Sequence, residues 1–320
     1  MNDDSLAGQM ATLAAELLGS MTGEQRARAA YDFADDGARR WLEYRPEPRP
    51  GLCLAQTSLA TRKIAHRLLA SALSEHAFAQ AMAIISLEEV LDRHERGARG
   101  RHSGDYWAAV FGDPENPAAP WSWRFEGHHL SVTMTIAGGQ VSPAPLFLGA
   151  HPARVTYAGR VVSRPLGPEE DLALALLDAL SPAAREAAVV GPAAPEDIRS
   201  QRDARAPARI EPAGVPASGL GPTARAALSQ LTAVYLDRLP PSLAAREAER
   251  ARGGELYFAW AGPAAPGTRH YYRVQGDDLL IEYDHTEADG NHAHTVLRRP
   301  RSDFGADVLA AHWRGAGQLS

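Results

Sequence analysis

The chain has 320 residues, 45% of them hydrophobic and 22% charged, ordinary proportions for a globular fold with a sizeable core. A net charge of −6 argues against nucleic acid as a partner, because phosphates call for a concentrated basic surface. The single cysteine, Cys53, cannot form an internal disulfide and excludes a cysteine-built zinc site, and no run of about 18 apolar residues offers a membrane span. The start, Met1-Asn2-Asp3-Asp4-Ser5, lacks the basic and apolar regions of a signal peptide, so a cytoplasmic location is expected.

Helical spacing opens the chain. Leu6, Met10, Leu13, Leu17 and Leu18 recur at three- and four-residue intervals, and helix is predicted across 5–45 with a division at Gly19-Ser20. Pro46-Glu47-Pro48-Arg49-Pro50-Gly51 breaks it. Helix is predicted again over 55–96, on a stripe of Leu59, Ile64, Leu68 and Leu69 and then one of Phe78, Met82, Ile85, Leu87 and Leu91, with Ser74 as a cap between them. From Tyr106 the pattern is that of strands. Residues 106–111 form a short one, and 121–136 read as one long strand or two joined strands. Leu130, Val132, Met134 and Ile136 share a face. That register sets His128 with Leu130, and His129 with Ser131 and Thr133. Residues 141–148 extend again, and Pro143 and Pro145 suit an edge or irregular strand.

Residues 167–190 are predicted helical, with an acidic start at Glu169-Glu170-Asp171 that the helix dipole favours. Residues 191–221, rich in proline, glycine and alanine, are expected to form a long loop or mobile excursion, and 222–253 two further helices. Strands follow at 256–262 and 270–274, then a hairpin over 281–296 and a final helix after Ser302. The expected architecture is one α+β domain over 1–320. It comprises a helical part (1–103), a β block (104–158), a helical insertion with a loop (167–253), and a C-terminal β block with the final helix (255–313). Joined, the two sequence-separated β blocks make a mostly antiparallel sheet packed with helices.

The chemistry concentrates in the histidines. Of twelve, seven fall in the β blocks or their loops: His128, His129, His151, His270, His285, His292 and His294. In the C-terminal hairpin, strand alternation places His292 and His294 on one face, and Glu282 and Asp284 on one face of the facing strand. Two imidazoles and two carboxylates on neighbouring strands can hold a metal ion. A third imidazole is expected from His128 or His129. His129 is preferred because its register neighbours are polar, although a bulge at Gly127 would pass the role to His128. Glu282 or Asp284 is the expected fourth ligand, or a partner that orients an imidazole. Tyr271 and Arg273 share a face, and an arginine beside a metal pocket can hold a carboxylate through paired hydrogen bonds. Trp121, Trp123 and Trp260 read as core, and Cys53 as a small buried hydrophobe. Phosphate-binding glycine loops, a G-x-S-x-G elbow and H-E-x-x-H are absent.

Long segments also carry a family resemblance. They are Trp121-Ser122-Trp123-Arg124-Phe125-Glu126-Gly127-His128-His129-Leu130, Phe147-Leu148-Gly149-Ala150-His151-Pro152, Tyr257-Phe258-Ala259-Trp260-Ala261-Gly262, Tyr271-Tyr272-Arg273-Val274, Ile281-Glu282-Tyr283-Asp284, Asn291-His292-Ala293-His294 and Asp303-Phe304-Gly305-Ala306-Asp307. Through them the chain, from residue 55 to 313, resembles the DUF3500 family, whose name records unknown function. The family's pattern has an asparagine-like residue after Tyr-Asp and another before the proline of the Gly-Ala segment. Here those places hold His285 and His151, which demotes both as ligands in any site the family shares.

The expectation is a metal-dependent oxidoreductase acting on a small molecule. His129, His292, His294 and a carboxylate, Glu282 first, would hold the ion, with His128 and Asp284 as alternates. Copper or iron is preferred, and zinc or manganese also suits imidazole–carboxylate sites. Arg273 would orient an acidic group of the substrate, and Tyr283 or Tyr271 would assist proton or electron transfer. The same ligands would serve a hydrolase, in which the metal lowers the pKa of bound water. The third reading is a non-catalytic sheet that binds a ligand or partner through its aromatic strands.

Overall fold

The computed structural model describes residues 3–315 and has an α+β architecture built on a 13-stranded sheet. Eight strands form its centre. The first β block supplies β1 (Tyr106–Phe111), β2 (Trp121–Gly127), β3 (Leu130–Ala137) and β4 (Leu146–Ala150). The second supplies β5 (Tyr257–Ala261), β6 (Tyr271–Gln275), β7 (Leu280–Glu287) and β8 (His292–Arg298). Their order in space is β1-β2-β3-β4-β8-β7-β6-β5, antiparallel throughout. Parallel pairing occurs at the borders, where Ala30–Tyr31 joins β1 and Val189–Gly191 joins β5. The two blocks therefore meet at one seam, β4 against β8, where His294 lies opposite Gly149 and Val296 opposite Phe147.

The pleat gives the sheet two different faces. One is covered by helices: α1 (Asp3–Gly19), α2 (Leu59–Ser71), α3 (Glu75–His94), α4 (Gly167–Ala179) and α5 (Pro222–Leu236). Trp123, Phe125, Met134, Tyr272, Ile281 and Tyr283 pack there against Leu13, Leu69, Ile84, Leu176 and Leu231 in the main core. The opposite face carries a smaller cluster of Leu42, Tyr44, Phe147, Ile198 and Val296. It lies beneath two largely irregular stretches, residues 40–53 and 192–214. These are tied together where the Tyr44 hydroxyl donates to Asp197 (2.6 Å) and Arg202 meets Glu43 (2.9 Å). Burying each large apolar side chain there contributes roughly 1.5–3 kcal/mol. No helix among the described residues is long and apolar enough to cross a membrane.

Several expectations about elements change. Helix does not run to residue 45. After Gly23–Ala29, opened by a capping box at Thr22, the chain enters the strand Ala30–Tyr31, because pairing with Val110 and Phe111 outweighs local helix preference. Leu59 is no part of a buried stripe. It opens α2 at 80% exposure, while Leu68 and Leu69 are buried. Residues 121–136 are two strands, and His128 and His129 form the turn between them, with His129 at φ 62°. The strand register that split the two histidines therefore does not apply. Leu146–Ala150 is a central strand rather than an edge, because Pro143 and Pro145 lie between it and the short strand Gln140–Ser142. The 191–221 stretch is pinned rather than a free excursion. The Arg199 and Ser200 N–H groups donate to Glu282, and Ile210 exchanges two hydrogen bonds with Gln275.

Candidate metal centre

The centre forms at the seam, on the face covered by the irregular stretches. In the β7–β8 hairpin Asp284 lies opposite His294, and a bulge after Asp284 brings Glu287 opposite His292. From the other block, the β2–β3 turn delivers His129. Its N–H donates to the Tyr44 carbonyl (3.0 Å), and its carbonyl accepts from Gly149 (2.7 Å). Gly149 also leaves room for the imidazole, since a Cβ there would stand 2.8 Å from His129 Cδ2.

His129, His292 and His294 thereby converge, all buried, each with a ring nitrogen within 4.8 Å of the others. The ring centroids are 4.7 Å apart for His129 and His292, 4.6 Å for His292 and His294, and 5.3 Å for His129 and His294. His129 Nε2 and His292 Nε2 lie 2.7 Å apart. An ion between them would need this pair to open by about 0.6 Å, given zinc–nitrogen bonds of roughly 2.0–2.1 Å in a tetrahedron.

The outer nitrogens of two of these rings are held by carboxylates. His292 Nδ1 faces Glu287 at 3.0 Å. His294 Nδ1 faces Asp197 at 3.1 Å and Asp284 at 3.2 Å. A ring that donates Nδ1–H outward presents a bare Nε2 lone pair inward, and carboxylates commonly fix metal-binding imidazoles in this way. Asp197 is itself oriented by the Tyr44 hydroxyl and the Ile198 N–H. The His294 ring lies 5.1 Å from that of Tyr44 and 5.5 Å from that of Phe147.

Burial lowers the pKa of the first two rings. His129 falls well below the usual histidine range, through desolvation and then the neighbouring imidazoles, and His292 falls to about 3, again through desolvation first. Both are therefore neutral donors at pH 7. For His294 burial also disfavours the charge, but Asp284 and Asp197 outweigh it and raise the ring to about 10, so it is protonated at pH 7 and an ion binding its Nε2 would have to displace that proton.

Around this triad is a second ring of polar groups. His128 stacks on His129 with centroids 3.7 Å apart, hydrogen-bonds Glu88 of α3, and lies 3.2 Å from Arg101. His151 stacks on His292 at 4.3 Å. A cavity of about 160 Å³ opens beside His128, lined by Arg49, Glu88, Arg99, Arg101 and Trp107.

Of the remaining sequence candidates, Asp284 stands at the triad, and Glu282, Tyr271, Arg273 and Tyr283 lie elsewhere. Glu282 accepts from Tyr271 (2.7 Å), Arg199 N–H (2.7 Å) and Ser200 N–H (3.0 Å), and belongs to none of the groups of converging ligand atoms among the described residues. Tyr271 is committed to that bond. Arg273 is fully buried and donates to the carbonyls of Ile210 and Pro212. Tyr283 points to the helix-covered face, stacked between Tyr272 (5.0 Å) and His270 (5.5 Å). Asp284 stands behind His294, oriented toward Nδ1.

The sequence pattern of the family described as Protein of unknown function (DUF3500) matches residues 3–306. The chain belongs to the DUF3500 family. No curated protein matches it, and no solved structure does. The match begins at residue 3, so the helical N-terminal part belongs to the DUF3500 unit along with the segments that carry the resemblance. In this DUF3500 chain sequence reasoning misses Asp197, Glu287, Tyr44, Glu88 and Arg101. Asp197 sits in a stretch that reads as loop and Tyr44 at the end of one predicted helical, and the spacing of neither from the hairpin gives a signal. Plain strand alternation sets Glu287 on the face opposite to Glu282 and Asp284, and only the bulge after Asp284 sets it opposite His292.

Proposed function

We propose that this chain is a metal-dependent oxidoreductase acting on a small anionic molecule. The observation that carries the proposal is the convergence of three buried imidazoles, two of them oriented by carboxylates. This nitrogen-rich donor set suits copper, iron or zinc. When bound, such an ion supplies one-electron or Lewis-acid chemistry. Tyr44 favours the redox reading. Its ring flanks His294 and its hydroxyl donates to Asp197, so the phenolic proton already has a carboxylate acceptor in place. Arg101, held by Glu95 and Glu88, lines the cavity beside His128 with Arg49 and Arg99, and these three guanidiniums take the substrate-orienting role expected of Arg273. The burial of the ligand rings limits water at the centre.

One observation favours hydrolysis as the second reading: carboxylate-oriented histidines also build zinc sites that activate water. The test uses protein purified without a histidine tag, stripped and reloaded separately with copper, iron and zinc. The redox reading predicts tight copper or iron binding with an electron paramagnetic resonance spectrum showing imidazole nitrogens. His292→Ala with His294→Ala should weaken binding at least tenfold, in line with loss of inner ligands. Unchanged retention in that variant overturns the ligand set. Unchanged retention in His129→Ala instead transfers the third position to His128. Protein that is isolated with zinc and binds neither copper nor iron overturns the redox reading and supports hydrolysis.

A further inference from the structure

We propose that the chain binds a second metal ion, a divalent cation of the zinc class, between Glu170, His270 and His285 on the helix-covered face of the sheet. The pleat separates this place from the first centre. Asp284 and His285 are consecutive in β7, so Asp284 faces the histidine triad and His285 faces α4. Glu170 comes from the first turn of α4, and His270 directly precedes β6.

The three side chains present their ligand atoms to one point. His285 Nδ1 lies 3.5 Å from Glu170 Oε1, and His270 Nε2 lies 3.9 Å from the same oxygen. Each of the three ligand atoms is within 4.8 Å of the others. Those separations are long for hydrogen bonds. They are close to the edges of a tetrahedron drawn around zinc with nitrogen and oxygen bonds of about 2.0–2.2 Å, roughly 3.3–3.6 Å. Both ring nitrogens of His285 and Nε2 of His270 are buried and have no hydrogen-bond partner, and the two residues are 1% and 0% exposed.

The surroundings fix these groups in ligating orientations. His270 Nδ1 donates to the Thr268 carbonyl (2.8 Å), which leaves Nε2 as the inward lone pair. Its ring is held between Trp260 at 4.7 Å and Tyr283 at 5.5 Å, nearly parallel to both. Glu170 Oε1 accepts from the Gly267 N–H (2.8 Å), while its other oxygen is held by Arg164, which also binds Asp171. Two imidazoles and a carboxylate suit zinc and its divalent neighbours. Enclosure by the Gly262–Arg269 loop gives the site a structural role, joining α4, that loop and the β6–β7 pair.

The test counts zinc. Tag-free full-length protein, stripped with chelator and titrated with zinc, should bind two equivalents. His292→Ala with His294→Ala and His270→Asn with His285→Asn should each leave one, and the two sets combined none. Two equivalents retained in the His270/His285 variant, or one equivalent in the wild type that this variant leaves in place, overturns the proposal. Because that variant removes buried groups, a second measurement keeps the fold intact. X-ray absorption at the zinc edge on the His292/His294 variant should show two imidazoles and an oxygen, and a shell of water oxygens alone overturns the assignment.

Discussion

His129 shows what single residues decide here. Its place in the histidine cluster was legible from its company, but for a reason that does not hold. It reaches the triad because it is a turn residue at positive φ, and not because a strand register turns it inward. The partner that makes this work is Gly149, which is opposite His294 in the seam and leaves the His129 ring its space. An added Cβ would meet Cδ2 at 2.8 Å and the Ala293 carbonyl oxygen at 3.2 Å, so the ring must move. Gly149→Ala is accordingly predicted to weaken metal binding about tenfold or more, the scale seen when groups supporting a ligand are disturbed, with the circular dichroism spectrum unchanged. Unaltered affinity in a calorimetric titration would show that the ring does not bind the ion where it stands.

At the scale of elements, the strands were the legible part and the irregular stretches were not. Alternation located β3, because sheet pleating imposes period two on any strand with one apolar face, while aromatic and β-branched runs located β1 and, around an Asp-Gly turn, the β7–β8 hairpin. Nothing periodic marks residues 192–214, which are held by buried polar anchors: Glu282 accepting two backbone N–H groups, and Gln275 pairing with Ile210. Glu282 thus organises the stretch that carries Asp197. Glu282→Gln puts an amide N–H₂ among donors, and the protein should lose about 1–3 kcal/mol of unfolding free energy in urea while still reaching full metal occupancy at saturation. Full stability with lost occupancy would make Glu282 a ligand after all.

For the molecule as a whole, the α+β class and the union of two distant β blocks followed from the order of patterns along the chain, and the seam between β4 and β8 is where that union creates the centre. The C-terminal helix, Ala306–Gly315, is joined to this body by the buried side chain of Val308 and by ion pairs. Asp307 accepts from Arg250 (2.8 Å) and Arg299 (3.2 Å). Burial raises its pKa, but Arg299 and Arg250 outweigh that and hold it below the usual aspartate range. A carboxyl depressed on folding stabilises above its unfolded pKa, about 3.9, and the contribution is lost as pH falls through the folded value. Asp307→Asn should therefore cost about 1 kcal/mol at pH 7, and its deficit relative to the parent chain should shrink below about pH 4 in thermal melts. A deficit constant from neutral to acid pH would remove the ion pairs from the account. The central claim, that His129, His292 and His294 hold a transition metal, is tested most directly by elemental analysis of tag-free protein, with and without His292→Ala and His294→Ala. The parent chain should hold about one equivalent of metal that the variant lacks, and added metal should raise its melting temperature. Less than about a tenth of an equivalent of any transition metal, with no thermal shift when metal is added, would contradict that claim.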